Sequence, residues 1–343
     1  MNVTGWWMGL GYLSACERPL PGGADASSGC ASPPRLDSGI HTLEDQGVTR
    51  TFRLHVPPSA SAEPAPLVVV FHGWGGDEDE FLGNEDVTAE ADRRGYIVVA
   101  PAGLGPGSPD RSPASWSFAG STTGLDPDGA AICDEALTPD YRYPSCRDPQ
   151  VAQNGCSWTQ CQADDVAFAR ALVETIASDL CVDPRRVYAA GGSNGGMFTW
   201  ELGRRNAEAP VFAALAPLVG LPHAGYLAAD GALPVLLLTG TEDPVVPPGD
   251  WEDASPTTSS SGQDRFYYTG ATAITRSWAR ARGCDVTVDA LPYDDGDPRT
   301  DCRTYCADAD VPPVLDCRAE QGHVYGLSWT WPLVLDFFDA HAG

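Results

Sequence analysis

Two kinds of hydrophobic spacing take turns along the chain. At 67–71, 96–100, 187–190, 212–217 and 235–240 the residues are apolar almost without interruption, which is the pattern of strands covered on both faces. Between and after them lie stretches whose apolar residues recur every three or four positions, at 80–94, 164–180, 197–202, 271–282 and 331–341. These predict helices. Buried strands alternating with helices specify an α/β chain with a mostly parallel, doubly wound sheet flanked by helices. The 51–56 segment alternates polar and apolar side chains and stops at Pro57-Pro58, as an early edge strand would. A further short strand is predicted at 286–288, and 255–262 reads as a flexible loop.

The periodicity fails over 103–161. Nearly sixty residues rich in Gly, Pro, Asp and Ser exceed what a bare loop in a compact domain supports, and Cys133, Cys146, Cys156 and Cys161 lie among them. The expected structure is a disulfide-stapled insertion at the carboxyl end of the sheet, walling a cleft with Trp116, Tyr141, Tyr143 and Trp158. At the other end, 1–16 reads as a leader that stops at Leu13-Ser14-Ala15-Cys16, like the site at which bacterial lipoproteins are cut and lipidated. Residues 17–38 read as a flexible linker anchored distally by Cys30. This leaves 39–343 as one catalytic domain.

Composition narrows the partners. The formal charge is -26 and the pI about 4.3, which opposes binding to nucleic acid or to an anionic membrane surface; the expected membrane tether is a lipid on Cys16 alone. All basic residues are arginine, so a Schiff-base or Ser-Lys mechanism has no lysine to use. Eleven cysteines without zinc-ligand spacing point to disulfides and a secreted or extracytoplasmic (periplasmic or cell-surface) location.

The candidate chemistry sits at four distant places. The 187–190 strand runs directly into Gly191-Gly192-Ser193-Asn194-Gly195, a Gly-x-Ser-x-Gly turn that puts a serine on a strained apex between strand and helix. Gly191 and Gly195 leave room for those two elements to meet, and the N–H of Asn194 points to where a substrate oxyanion forms. The 67–71 strand ends in His72-Gly73-Trp74-Gly75-Gly76, whose Trp74 N–H is the second oxyanion donor. Asp243 follows the 235–240 strand and His323 lies between the last strand and the last helix. Ser193, Asp243 and His323 thus appear in the order nucleophile, acid, base. No metal or organic cofactor is required.

These stretches together resemble the secreted polyhydroxybutyrate depolymerase-like and feruloyl esterase-like α/β-hydrolases. The resemblance spans 30–343 and is carried by 50–57, the 72–76 turn, Asp164-Asp165-Val166-Ala167-Phe168, 181–188, 193–197, Gly240-Thr241-x-Asp243-x-x-Val246-Pro247 and Tyr267-Tyr268-Thr269. It departs at the histidine, where Gly322-His323-Val324-Tyr325-Gly326 stands in place of the usual Gly-His-Thr-Trp-Pro. The resemblance implies a secreted serine esterase acting on polymeric or oligomeric esters. These are feruloyl or acetyl esters of plant polysaccharide, with hydroxyalkanoate polyesters or oligomers as the alternative. A non-catalytic surface-binding protein on the same scaffold and a peptidase are the competing classes.

Overall fold

The computed structural model describes residues 27–31, 33–61, 63–83, 85–105, 113–146, 154–227, 229, 232–251, 256–262, 264–306, 308 and 311–342. The leader, the proximal linker and Cys16 lie outside the described residues. In chain order the strands are β1 (Gly39–Asp45), β2 (Val48–His55), β3 (Ala65–Phe71), β4 (Ile97–Pro101), β5 (Val182–Gly192), β6 (Ala214–Leu218), β7 (Val235–Gly240), β8 (Thr257–Ser259), β9 (Tyr267–Thr269), β10 (Leu291–Tyr293), β11 (Thr300–Thr304) and β12 (Val314–Ala319). The helices are α1 (Asp79–Leu82), α2 (Glu85–Arg94), α3 (Asp165–Asp179), α4 (Asn194–Arg204), α5 (Ala271–Ala281) and α6 (Thr330–Asp339).

Ten strands form one sheet in the order β1-β2-β4-β3-β5-β6-β7-β12-β11-β10. The run from β4 to β12 is parallel, and both flanks are antiparallel. The continuous apolar runs are explained by burial on both sides. Leu67, Val69 and Phe71 of β3 face the layer of α3, α4 and α5, while Val68 and Val70 face the layer of α2 and α6. This is the α/β-hydrolase fold with a disulfide-stapled insertion.

Several expected elements differ. The 51–56 strand is interior, because β1 pairs along its outer side; Gly39–Asp45, whose positions alternate between intermediate and exposed, is not among the strands recognised from the sequence. The 80–94 helix is two helices, α1 and α2, with Gly83 capping the first. No strand forms at 286–288, where Asp285 instead accepts hydrogen bonds from the Thr287 N–H (2.9 Å) and hydroxyl (2.6 Å) and turns the chain. The loop expected at 255–262 contains β8, paired with β9 in a separate small sheet.

Among the described residues, five disulfides form: Cys30–Cys181, Cys133–Cys156, Cys146–Cys161, Cys284–Cys306 and Cys302–Cys317. Cys30 ties the distal linker to the start of β5, where the Ser27 N–H also donates to Val182 O at 2.9 Å. Two bridges lie within the insertion. The insertion is joined to the core through Asp165 at the first turn of α3, which accepts from Arg50 (3.0 Å), the Ser117 N–H and hydroxyl (2.8 and 2.9 Å) and Gln160 (2.7 Å). Its neighbour Asp164 has a different task, capping α3 through the N–H groups of Val166 and Ala167.

Candidate active site

The parallel strands deliver their ends to one rim, and the four sequence-predicted segments meet there. Ser193, between β5 and α4, has φ 51° and ψ -115°, the strained apex expected of a nucleophile turn. Glycine is required at Gly195 because a Cβ there would lie 2.0 Å from Phe71 O. The close approach is therefore between α4 and the neighbouring β3, as well as between α4 and its own strand. One turn back, a Cβ on Gly191 would lie 2.4 Å from Gly195 O.

His323 is positioned from both sides. Its Nδ1–H donates to Asp243 Oδ2 at 2.7 Å, and its Nε2 faces Ser193 Oγ at 2.9 Å. Because the carboxylate can only accept, Nδ1 carries the proton and Nε2 is left as the acceptor for the serine hydroxyl. Asp243 is held in turn: its Oδ1 accepts from the N–H groups of Val245 (2.8 Å) and Val246 (2.9 Å), and its side chain is buried. Those two bonds come from the tight turn that follows β7, so the acid's orientation is built into local backbone.

The His72–Gly76 turn packs beside the serine, with a Cβ on Gly73 falling 3.5 Å from Ser193 Cβ. His72 secures it, donating from Nδ1 to Gly73 O (2.7 Å) and accepting the Gly103 N–H at Nε2 (2.8 Å). Burial lowers its pKa from the ordinary histidine value, consistent with a neutral ring that both donates and accepts. The N–H groups of Gly73, Gly75 and Gly76 are engaged, by Glu80 Oε1, Ala114 O and Gly73 O. Those of Trp74 and Asn194 make no hydrogen bond to a described residue. Asn194 is held by its side chain, which exchanges hydrogen bonds with Trp116 N (2.7 Å) and O (3.0 Å).

Tyr325, at the departure from the related pattern, covers both turns. A Cβ on Gly192 would lie 2.1 Å from its ring, and one on Gly73 would lie 2.0 Å from its hydroxyl oxygen. Burial is the main cause that raises its pKa, with the Glu80 carboxylate adding to it.

In front of Ser193 and His323 opens a cavity of about 320 Å³. The insertion contributes Tyr141 and Trp158 to its wall, two of the four aromatics expected there. Trp116 and Tyr143 are instead buried behind it. Phe198 and Trp200 of α4 belong to the core and do not line the cavity. The sequence reading missed Asp264, Phe266 and Tyr268 as lining residues; they adjoin the insertion's share of the wall, with Asp264 accepting from the Tyr141 hydroxyl and Phe266 5.6 Å from Trp158 between ring centroids, and the only signal was the Tyr267-Tyr268-Thr269 motif.

His223, which had no evident setting in the sequence, links Trp158 to the 266–268 segment. Its Nε2 accepts from Trp158 Nε1 at 2.9 Å and its Nδ1–H donates to Tyr267 O at 3.1 Å. It is fully buried, and burial pushes its pKa down to about 4. An imidazole that must accept at one nitrogen cannot take a second proton without breaking that bond. Folding therefore favours the neutral ring. Stability from His223 is complete above the unfolded value near 6.5 and is lost as pH falls toward 4, by about 3 kcal/mol in all. Urea unfolding at pH 7.5 and pH 4.5 should show a stability loss that is smaller by roughly this amount in His223→Gln; equal losses would refute it.

A model of the dienelactone hydrolase family matches residues 53–271. The chain is 30% identical over 293 residues to the putative esterase NocK of Nocardia uniformis subsp. tsuyamanensis, covering 83% of this chain and 72% of that protein. It is 24% identical over 279 residues to a probable feruloyl esterase C of Aspergillus niger, covering 79% and 83% respectively. Among solved structures, the acetyl xylan esterase from Aspergillus awamori shares the fold with a TM-score of 0.54 at 14% identity, over 88% of this chain and 99% of that one. The chain belongs to the dienelactone hydrolase family, as a feruloyl esterase-like α/β-hydrolase and a carboxylic ester hydrolase.

Proposed function

We propose that the protein hydrolyses its ester through a serine-bound acyl intermediate, and that its substrates are hydroxycinnamoyl esters of the feruloyl type on plant polysaccharide. The observation that carries the reaction is the chain of two hydrogen bonds from Asp243 through His323 to Ser193. Ser193 Oγ attacks the ester carbonyl carbon while its proton passes to His323 Nε2. The imidazolium is stabilised by Asp243, and the oxygen that gains the negative charge is met by the N–H groups of Trp74 and Asn194. Collapse breaks the carbonyl–alkoxy bond and His323 returns the proton to the departing alcohol. Water then repeats the sequence against the acyl-enzyme and frees the acid. Neither half-reaction changes an oxidation state, and water is the co-reactant of the second.

The acyl preference rests on the cavity. Trp74, Tyr141, Trp158, Phe266 and Tyr268 surround the reaction centre with aromatic surface, which suits a planar conjugated acyl group better than an acetyl group that would leave the cavity unfilled. The disulfides support a secreted or otherwise extracytoplasmic location, and 39–343 is proposed as the catalytic domain. Initial rates on methyl ferulate, acetylated xylan and 3-hydroxybutyrate oligomers test the reading directly. Methyl ferulate should give the highest kcat/KM. Faster cleavage of the acetylated xylan or the oligomers would overturn the substrate assignment while leaving the acyl-enzyme route intact.

A further inference from the structure

One residue of the cavity is out of character with the rest. Asp264 is the single carboxylate among the described lining residues, none of which is an arginine. Its Oδ1 accepts a hydrogen bond from the Tyr141 hydroxyl, and no described residue donates to Oδ2. Tyr141 stands edge-on to Trp74, with ring centroids 5.4 Å apart, so the acid and its phenol partner are framed by the same aromatic rings that face the substrate.

The position is built rather than incidental. The Asp264 carbonyl accepts from Thr138 Oγ1, and the next carbonyl, of Arg265, accepts from Asp134 N at 3.1 Å. Both donors belong to the insertion. Arg265 itself has φ 43°, a left-handed conformation that a side-chain-bearing residue holds only when its surroundings enforce it. Burial and the hydrogen bond to Asp264 push the Tyr141 pKa up to about 12. The phenol thus stays protonated and occupied as a donor. What the pair offers to a ligand is acceptor capacity only: one carboxylate oxygen and the remaining lone pair of the phenol.

Resting on the feruloyl-type reading above, we infer that Asp264, supported by Tyr141, is the specificity-determining acceptor for a phenolic hydroxyl on the aromatic ring of the acyl group. Asp264 Oδ2, on a carboxylate that lines an aromatic cavity, has no donor from a described residue and is open to one that a ligand supplies. A phenolic hydroxyl does so with a charge-assisted bond, whereas a ring ether cannot donate. A ring carboxylate is repelled, since no cation lines the cavity to offset Asp264. The favoured ligand is therefore an uncharged hydroxylated aromatic acyl group. Sites that hydrogen-bond a substrate hydroxyl discriminate against analogues lacking it more sharply than apolar pockets discriminate by size.

Methyl ferulate and methyl 3,4-dimethoxycinnamate share the alcohol half and differ only in replacement of the ring hydroxyl by a methoxy group. For wild type, kcat/KM should favour ferulate by roughly ten- to a hundredfold. In Asp264→Ala the ratio should fall to about one, and in Asp264→Asn it should fall by at least about threefold, since the neutral amide still accepts but without the charge. Far-ultraviolet circular dichroism confirms that each variant is folded. A wild-type ratio near one, or a ratio unchanged in folded Asp264→Ala, overturns the assignment while leaving hydroxycinnamoyl hydrolysis standing. Failure of wild type to cleave either cinnamate would overturn the feruloyl reading itself. A third arm compares acetylated xylo-oligosaccharide with methyl acetate: an Asp264-dependent preference confined to that pair would place the bonded hydroxyl on the sugar and refute the acyl assignment.

Discussion

Ser193→Ala is expected to reduce the turnover of 4-nitrophenyl acetate by at least about ten-thousandfold, with the unfolding midpoint close to that of wild type. The argument is geometric. The serine hydroxyl has a hydrogen-bond acceptor at 2.9 Å, and the backbone that presents it is held by glycine contacts and by the bond from Ser193 N to Leu218 O at 2.9 Å. None of these involves Oγ. Alanine therefore removes the proposed nucleophile and leaves the turn as it was. A pre-steady-state burst of 4-nitrophenol from wild type, absent in the variant, would report the acyl-enzyme directly. Retention of more than about a hundredth of the wild-type rate in pure variant would show that another group attacks the ester.

Asp243→Asn is expected to lower kcat by about ten-thousandfold at neutral pH while altering KM little. Asparagine fits the same turn, and its Oδ1 can still accept from the Val245 and Val246 N–H groups. Its amide nitrogen would then face His323 Nδ1 across the former 2.7 Å contact. Two donors cannot share that line, so the imidazole must protonate at Nε2 and lose its ability to accept from Ser193. The loss of the buried negative charge also removes stabilisation of the imidazolium. Steady-state kinetics of Asp243→Asn check this, and a drop of less than about tenfold would show that the carboxylate does not govern the tautomer.

Much of this arrangement was legible before any coordinates. The buried parallel strands announce themselves because both faces are covered, so β3, β4, β7 and the 187–190 part of β5 are apolar at consecutive positions. The ends of such strands must converge on one rim, which is why Ser193, Asp243 and His323 were recognisable from order and setting although 80 and 130 residues separate His323 from its partners. The sheet's flanks were less visible. β1 alternates intermediate and exposed positions throughout, so its hydrophobic signal is weak, and β10 is exposed at every residue. The 264–268 share of the cavity lining was hidden for a different reason. Asp264 is placed by bonds to Thr138, Asp134 and Tyr141 more than a hundred residues earlier, and long-range pairing of irregular segments has no periodicity to detect. His223 shows the same limit: its meaning comes from Trp158 and Tyr267, neither of which is near it in sequence.

The insertion reaches the sheet through the Asp165 carboxylate and through Trp116, Ala114 and Gly103, which bond Asn194, Gly75 and His72, and it reaches the 265–267 segment where the Tyr267 N–H donates to Ile132 O and the Asp134 N–H donates to Arg265 O. The proposed triad of Ser193, Asp243 and His323 stands outside the insertion, but the insertion's Trp116 holds the Asn194 side chain. Lining of the cavity and support of the proposed oxyanion side are thus lodged in the same segment. An insertion of different lining could redirect the acyl preference proposed above only if it kept the backbone groups that hold Asn194 and Gly75 in place.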